Sequence, residues 1–144
     1  MSDPLKLLAR SPEDLTVISS LMQDATVRVG DIDFDAKGRR LSFVANRFRW
    51  EKKRRFFRPK GERVRAGLHL TGVLKAQHLG FDFNDKDQVL ELLSLEAHDA
   101  GEEFDIHINF AGGPTLKLHA ECVDAVMTDL TDAWEARARP VHQD

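Results

Sequence analysis

The feature that most restricts this chain is a strict two-residue alternation in its second half. Phe104, Ile106, Ile108 and Phe110 alternate with Asp105, His107 and Asn109; Gly112-Gly113-Pro114 turns the chain; Leu116, Leu118 and Ala120 alternate back. Successive side chains of an extended strand point to opposite faces, so the pattern fits a hairpin with one dry face and one wet face. A helix would scatter these apolar residues around its circumference.

The same period appears earlier. Val27 and Val29 lead to Gly30, after which the apolar positions change parity to Ile32 and Phe34, as a bulge would require. A four-residue loop, Ala36 to Arg39, sets Phe34 opposite Leu41 and Ile32 opposite Phe43. The returning strand is expected to carry Phe48 and Trp50 inward and Arg47 and Arg49 outward. Leu68, Leu70, Leu74 and Ala76 share one face of a further strand, Gly80 to Asp87 is a polar connection, and Val89 to Ala97 reads as a strand, with a short helix as the alternative. With a loop of Gly112 to Pro114, the last hairpin pairs His107 with His119 and Asn109 with Lys117.

Other segments depart from this period. Leu5 to Ala9 is a short apolar run that suits a strand. Ser11 followed by Pro12, Glu13 and Asp14 is a helix start, since the hydroxyl caps free amides, proline suits the first turn and the acids face the positive dipole end. Leu15, Ile18, Met22 and Ala25 continue at helical spacing, so the helix is expected to end near Asp24 or Ala25. Val123, Val126, Met127, Leu130 and Trp134 also recur at helical spacing, with Arg137 and Arg139 at the negative end and Pro140 as a stop. The expected fold is therefore α+β and mainly β: an antiparallel barrel-like sheet of about seven strands with an inserted N-terminal helix and a C-terminal capping helix. That arrangement looks like the pleckstrin-homology architecture, from which the inserted helix departs, and a likeness of arrangement transfers no function.

A chain of 144 residues suits one domain spanning 1–144. Cys122 is the only cysteine, which excludes an intrachain disulfide. The N-terminus lacks the basic start and apolar core of a secretory signal, and no apolar run approaches the roughly 20 residues that span a bilayer. A reducing cytoplasm is the expected compartment, without integral membrane association.

Charge is distributed unevenly. The stretch from Arg47 to Arg65 holds ten of the 21 Lys and Arg residues, against only Glu51 and Glu62, so a chain of net charge −3 carries +8 there. Its candidate contacts for an anionic partner are Arg47, Arg49, Lys52, Lys53, Arg54, Arg55, Phe56, Phe57, Arg58, Lys60, Arg63 and Arg65. Arginine offers planar multidentate contacts to phosphate, lysine a flexible point charge, and aromatic faces stack on bases or wedge into an interface. Three readings stand beside one another: a solvated segment balancing an acidic body, a surface for an anionic macromolecule, and a docking face for an acidic protein, a second copy of the chain included.

Other motifs carry less. His107 and His119 facing across a hairpin, with Asp105 nearby, would still need a further ligand and a supporting shell to hold a metal, and an exposed polar ladder accounts for them. His69, His78, His98 and His142 show no metal-ligand spacing. Cys122 opens the expected C-terminal helix without an assignable base. Gly112-Gly113 joins two strands, so it is no phosphate loop, and Asp82, Asp85 and Asp87 lack the glycine and terminal glutamate of a calcium loop. No catalytic residue, cofactor or metal is assigned.

Four segments read together as a family pattern: Asn46 to Glu51 (NRFRWE), Glu62 to Leu68 (ERVRAGL), Asn109 to Gly113 (NFAGG) and Asp129 to Trp134 (DLTDAW). With Arg137 to His142 (RARPVH), they resemble the bacterial domain-of-unknown-function family 2948 across almost the whole chain. The resemblance implies a small stand-alone cytoplasmic bacterial protein, and it brings neither an activity nor functional residues. The expectation is a non-enzymatic binding module using the Arg47 to Arg65 surface, first for nucleic acid through its phosphates, alternatively for an acidic protein surface.

Overall fold

The structure is a computed structural model, and it describes residues 5–49 and 62–130. In chain order these form β1 (Lys6–Ala9), α1 (Pro12–Met22), β2 (Thr26–Arg28), a 3-10 turn (Val29–Asp31), β3 (Asp33–Asp35), β4 (Arg40–Arg49), β5 (Glu62–Thr71), β6 (Val73–Leu79), β7 (Val89–Ala100), β8 (Glu103–Phe110), β9 (Thr115–Ala120) and β10 (Ala125–Asp129). The pairing is antiparallel throughout, in the order β1-β10-β5-β4-β2-β7-β8-β9-β6, with β3 added beside β4. The described residues thus hold ten strands in one sheet, more than the seven expected.

The sheet is not closed by hydrogen bonds, yet it must curl. β5 sits near one end of the path and β6 at the other, and Gly72 alone separates them. Gly72 has φ +77°, in the left-handed region that glycine enters without steric cost. At this residue the chain changes partners. Thr71 faces Arg40 of β4, while Val73 faces Ala120 of β9. Leu74 therefore does not continue the face of Leu68 and Leu70 as the alternation suggested; it is exposed, and Val73 is buried instead. The buried side chains of α1 and the sheet form one continuous cluster, which is the apolar interior of the curl.

α1 closes part of that interior. Ser11 Oγ accepts from Asp14 N at 3.1 Å, and Pro12 occupies the first turn. Leu15, Ile18 and Met22 are buried, and the helix lies against β7, where Leu95 N donates to Ser19 Oγ at 2.9 Å. The Phe34–Leu41 pairing and the four-residue loop occur as expected, whereas Ile32 caps the 3-10 turn rather than pairing with Phe43. That turn replaces the expected bulge at Gly30.

Two further expectations fail for identifiable reasons. The register of the last hairpin is two residues out. Phe110 N donates to Pro114 O at 2.9 Å, so the three-residue loop is Ala111 to Gly113, with Gly112 and Gly113 at positive φ. Asp105 now faces His119 and His107 faces Lys117. The expected C-terminal helix is also absent from 123–130. Ala125–Asp129 is a strand inserted between β1 and β5, with Val123, Ala125, Met127 and Asp129 buried and the residues between them half-buried. The spacing of Val123, Val126, Met127 and Leu130 fits a helix, but Val123, Ala125 and Met127 fit a strand equally well. The tie is broken by Asp129, which is drawn inward by a partner on β4. The part of that expectation at Trp134 and beyond lies outside the described residues.

Candidate functional site

The β4–β5 hairpin carries the described ends of the basic stretch, and its two faces differ. Leu41, Phe43, Ala45 and Arg47 of β4 point inward, as do Ala66, Leu68 and Leu70 of β5. Arg47 is 3% exposed and Asp129 is 5% exposed. Arg47 Nε donates to Asp129 Oδ1 at 2.9 Å, Nη2 to Oδ2 at 2.6 Å, and Nη1 to Phe48 O at 3.2 Å. The pair reaches from β4 to β10 across the inner face of β5, where Ala66, directly opposite both Ala45 and Asp129, leaves room for the guanidinium. A fork-to-fork geometry with the third donor also satisfied is the arrangement that makes burial of two charges tolerable.

This corrects the expectation that Arg47 faces outward and Phe48 inward. The parity set by Leu41 and Phe43 continues unbroken to Arg47, so Phe48 falls on the outer face, half-buried beneath Arg63, whose guanidinium lies 4.6 Å from the ring centroid. Arg63 Nη1 also donates to Thr26 Oγ1 at 3.3 Å.

The outer face of β2, β4 and β5 holds a groove of about 170 Å³ lined by Thr26, Arg28, Asp31, Val44, Ala45, Asn46, Arg65 and Val89. Strand register builds it in two rows. One runs Glu91, Thr26, Asn46, Arg65, each directly opposite the next. The other includes the Val89–Arg28 and Val44–Gly67 pairs; Gly67 carries no side chain, and a Cβ placed there would meet nothing within 4 Å, so the second row is open above it. Arg28 is held by Asp31 and by Asp87, each at 3.3 Å, in pairs that are open to solvent, Asp87 almost fully, and therefore weak. The groove offers a hydroxyl, a carboxamide and two guanidinium groups, with one carboxylate, Asp31, in its wall.

Of the expected contact residues, the structure brings Arg63 and Arg65 to this outer face and removes Arg47 from it. Arg49 closes β4 opposite Glu62, and its side chain lies outside the described residues, as do Lys52, Lys53, Arg54, Arg55, Phe56, Phe57, Arg58 and Lys60. Thr26, Arg28 and Asn46 were missed. Continuing the parity of Leu41 and Phe43 would have placed Asn46 outward, whereas no sequence signal brings β2 against β4.

A second polar surface covers the outer face of β7, β8 and β9. His119 Nδ1 lies 3.0 Å from Asp105 Oδ1 and Nε2 lies 2.5 Å from Glu103 Oε1. Hydrogen bonding to Asp105 and then Glu103 raises the His119 pKa above its ordinary value. One strand over, Glu96, His98 and His107 cluster, although spacing along the sequence gives His98 no partner. Cys122 lies in the turn between β9 and β10 rather than at a helix start. Partial burial, then Asp124 and Glu121, push its thiol pKa up, which keeps it protonated and weakly nucleophilic.

The sequence of the chain, as distinct from its arrangement, has a counterpart among known families. The model of a family described as "Protein of unknown function (DUF2948)" matches residues 5–142. The chain belongs to the DUF2948 family. Searches of curated proteins and of solved structures return no match to this DUF2948 chain. Among its described residues, no helix is long and apolar enough to cross a membrane.

Proposed function

We propose that this DUF2948 protein is a non-enzymatic binding module for an anionic macromolecule, with nucleic acid as the first partner, held through its phosphates. The observation that carries the proposal is the groove in which Asn46 and Arg65 of the β4–β5 hairpin meet Thr26 and Arg28 of β2, since the residues connecting that hairpin, 50–61, carry six Lys and Arg against Glu51. Hydroxyl, amide and guanidinium donors suit phosphate oxygens without reading a base. The groove alone is nearly charge-balanced, because Asp31 offsets Arg28, so most of the attraction comes from the flanking basic residues.

The test is retention on heparin and on mixed RNA at low salt. Wild type is expected to bind, with affinity falling steeply as salt rises. Replacing Arg63 and Arg65 with Ala should flatten the salt dependence on RNA, by a slope of about 0.7 for each single-strand phosphate that is no longer neutralised. Replacing Lys52, Lys53, Arg54 and Arg55 with Ala should abolish retention. Failure of wild type to bind either polymer at low salt overturns the proposal. Nuclease-resistant capture of an acidic protein, abolished in the same variants, would transfer the surface to the protein-docking alternative.

A further inference from the structure

We propose that Glu96, His98 and His107 form a binding site for a divalent transition-metal ion, zinc fitting the donor set best, on the outer face of β7 and β8. The two strands pair so that Glu96 faces His107 and His98 faces Asp105. Glu96 and His98 are two apart on β7 and share a face; His107 is directly opposite one and diagonal to the other, within reach for long side chains. One ligand atom from each of the three lies within 4.8 Å of the others. The imidazole rings of His98 and His107 have centroids 5.4 Å apart, and His98 Nε2 is 3.2 Å from Glu96 Oε1.

Ligand atoms around a tetrahedral zinc with bonds of about 2.0–2.1 Å stand roughly 3.4 Å apart. His98 Nε2 and Glu96 Oε1 already stand 3.2 Å apart and every pair lies within 4.8 Å, so rotation of the exposed Glu96 and His98 side chains is the adjustment that closes the set. Two imidazoles and one carboxylate suit zinc and its neighbours rather than magnesium or calcium, which prefer oxygen ligands throughout. Three protein ligands leave one tetrahedral position for water or an outside ligand.

Two surroundings favour the site. Glu96 is oriented by a chain of hydrogen bonds: Thr115 Oγ1 donates to Asn109 Oδ1 at 3.0 Å, Asn109 Nδ2 to Ser94 Oγ at 3.0 Å, and Ser94 Oγ to Glu96 Oε2 at 3.3 Å. That chain occupies one carboxylate oxygen and leaves the other turned to His98, as an outer shell does for a metal-binding carboxylate. The charges nearby are also suitable. Asp105 faces His98 and Glu103 lies beyond it; with Glu96 these carboxylates stand against Lys117, opposite His107, and His119, which both Asp105 and Glu103 engage, so the face still favours a cation. The site is at the far end of β7 from Val89 and owes nothing to the groove.

Isothermal titration of tag-free protein with zinc, and visible absorption on titration with cobalt as a spectroscopic substitute, test the proposal. One ion per chain is expected, with binding weakened more than 100-fold in His98→Ala and in His107→Ala and unchanged in His119→Ala. Ser94→Ala should weaken it by about 10-fold, the lower end of the effect of removing an outer-shell partner. All four positions are on the sheet surface, and unchanged circular dichroism without metal checks that each variant folds. No binding by wild type, retention of binding in both histidine variants, or equal loss in His119→Ala would each overturn the site.

Discussion

Arg47 and Arg65 sit on neighbouring strands of one hairpin, yet they belong to different environments. Arg47 continues the inward parity of Leu41, Phe43 and Ala45, and it is locked to Asp129. Arg65 lies opposite Asn46 and lines a groove on the outer face. A run of basic residues is therefore not one surface. In an extended chain neighbouring charges are sorted onto opposite faces, and a charge sent inward survives only if a buried partner meets it.

The largest test of this contrast is the inner pair. Arg47→Ala or Asp129→Ala should each destabilise the protein by about 3–5 kcal/mol in chemical denaturation, because each leaves a buried charge alone. Joint replacement by Arg47→Met and Asp129→Leu should recover most of that loss, as apolar substitutes for a buried pair often do. If both single variants lose less than about 1 kcal/mol, the pair is solvated and the contrast collapses.

An apolar neighbour on the same inner face sets the scale. Leu70→Ala, at a residue 1% exposed, is expected to cost about 2–5 kcal/mol through reduced burial and the cavity left behind. On the outer face, Arg63→Ala removes the stacking on Phe48 and the bond to Thr26, and the thermal-melt penalty should be about 1 kcal/mol or less. A penalty comparable to that of Leu70→Ala would mean that the outer arginine is structural rather than available to a partner.

The smallest effect is expected at the far end of β4, in the turn. Asp35 accepts from Gly38 N at 3.0 Å and from Arg40 Nη2 at 3.1 Å, and the backbone bond first, then the arginine, hold its pKa below the usual 3.8. A depressed folded-state pKa contributes stability that is present above the unfolded value and is lost as pH falls through the folded one. An NMR titration should show this carboxyl ionised below pH 3.8, and Asp35→Asn should flatten the acid limb of stability slightly. An unshifted titration would remove the turn's contribution.

Much of the fold was legible because its causes are local. Ser11-Pro12 starts a helix by satisfying free amides, Asp35 to Gly38 makes a turn by its own side-chain bond, and Phe104 to Phe110 alternates over a full strand. The failures arose where two periods fitted the same residues, as at Val123 to Leu130, or where a loop of fixed length could be placed one residue along, as at Gly112-Gly113-Pro114. A one-residue error in the loop moves the register by two and sets His107 opposite His119, whereas His98 comes beside His107 through the separate pairing of β7 with β8, which no local signal gives.

Residue order was enough to establish a mainly β chain with a capped N-terminal helix, a family membership, and a concentrated positive charge between Arg47 and Arg65. Those follow from periodicity, capping chemistry and composition, which act over a few residues. It took the folded sheet to select which arginine is buried, to supply its partner from β10 rather than a helix, and to bring Glu96, His98 and His107 onto one face. Each depends on strands distant in the chain becoming neighbours, and pairing of that kind is set by the burial of the whole sheet's inner face, not by any segment of it.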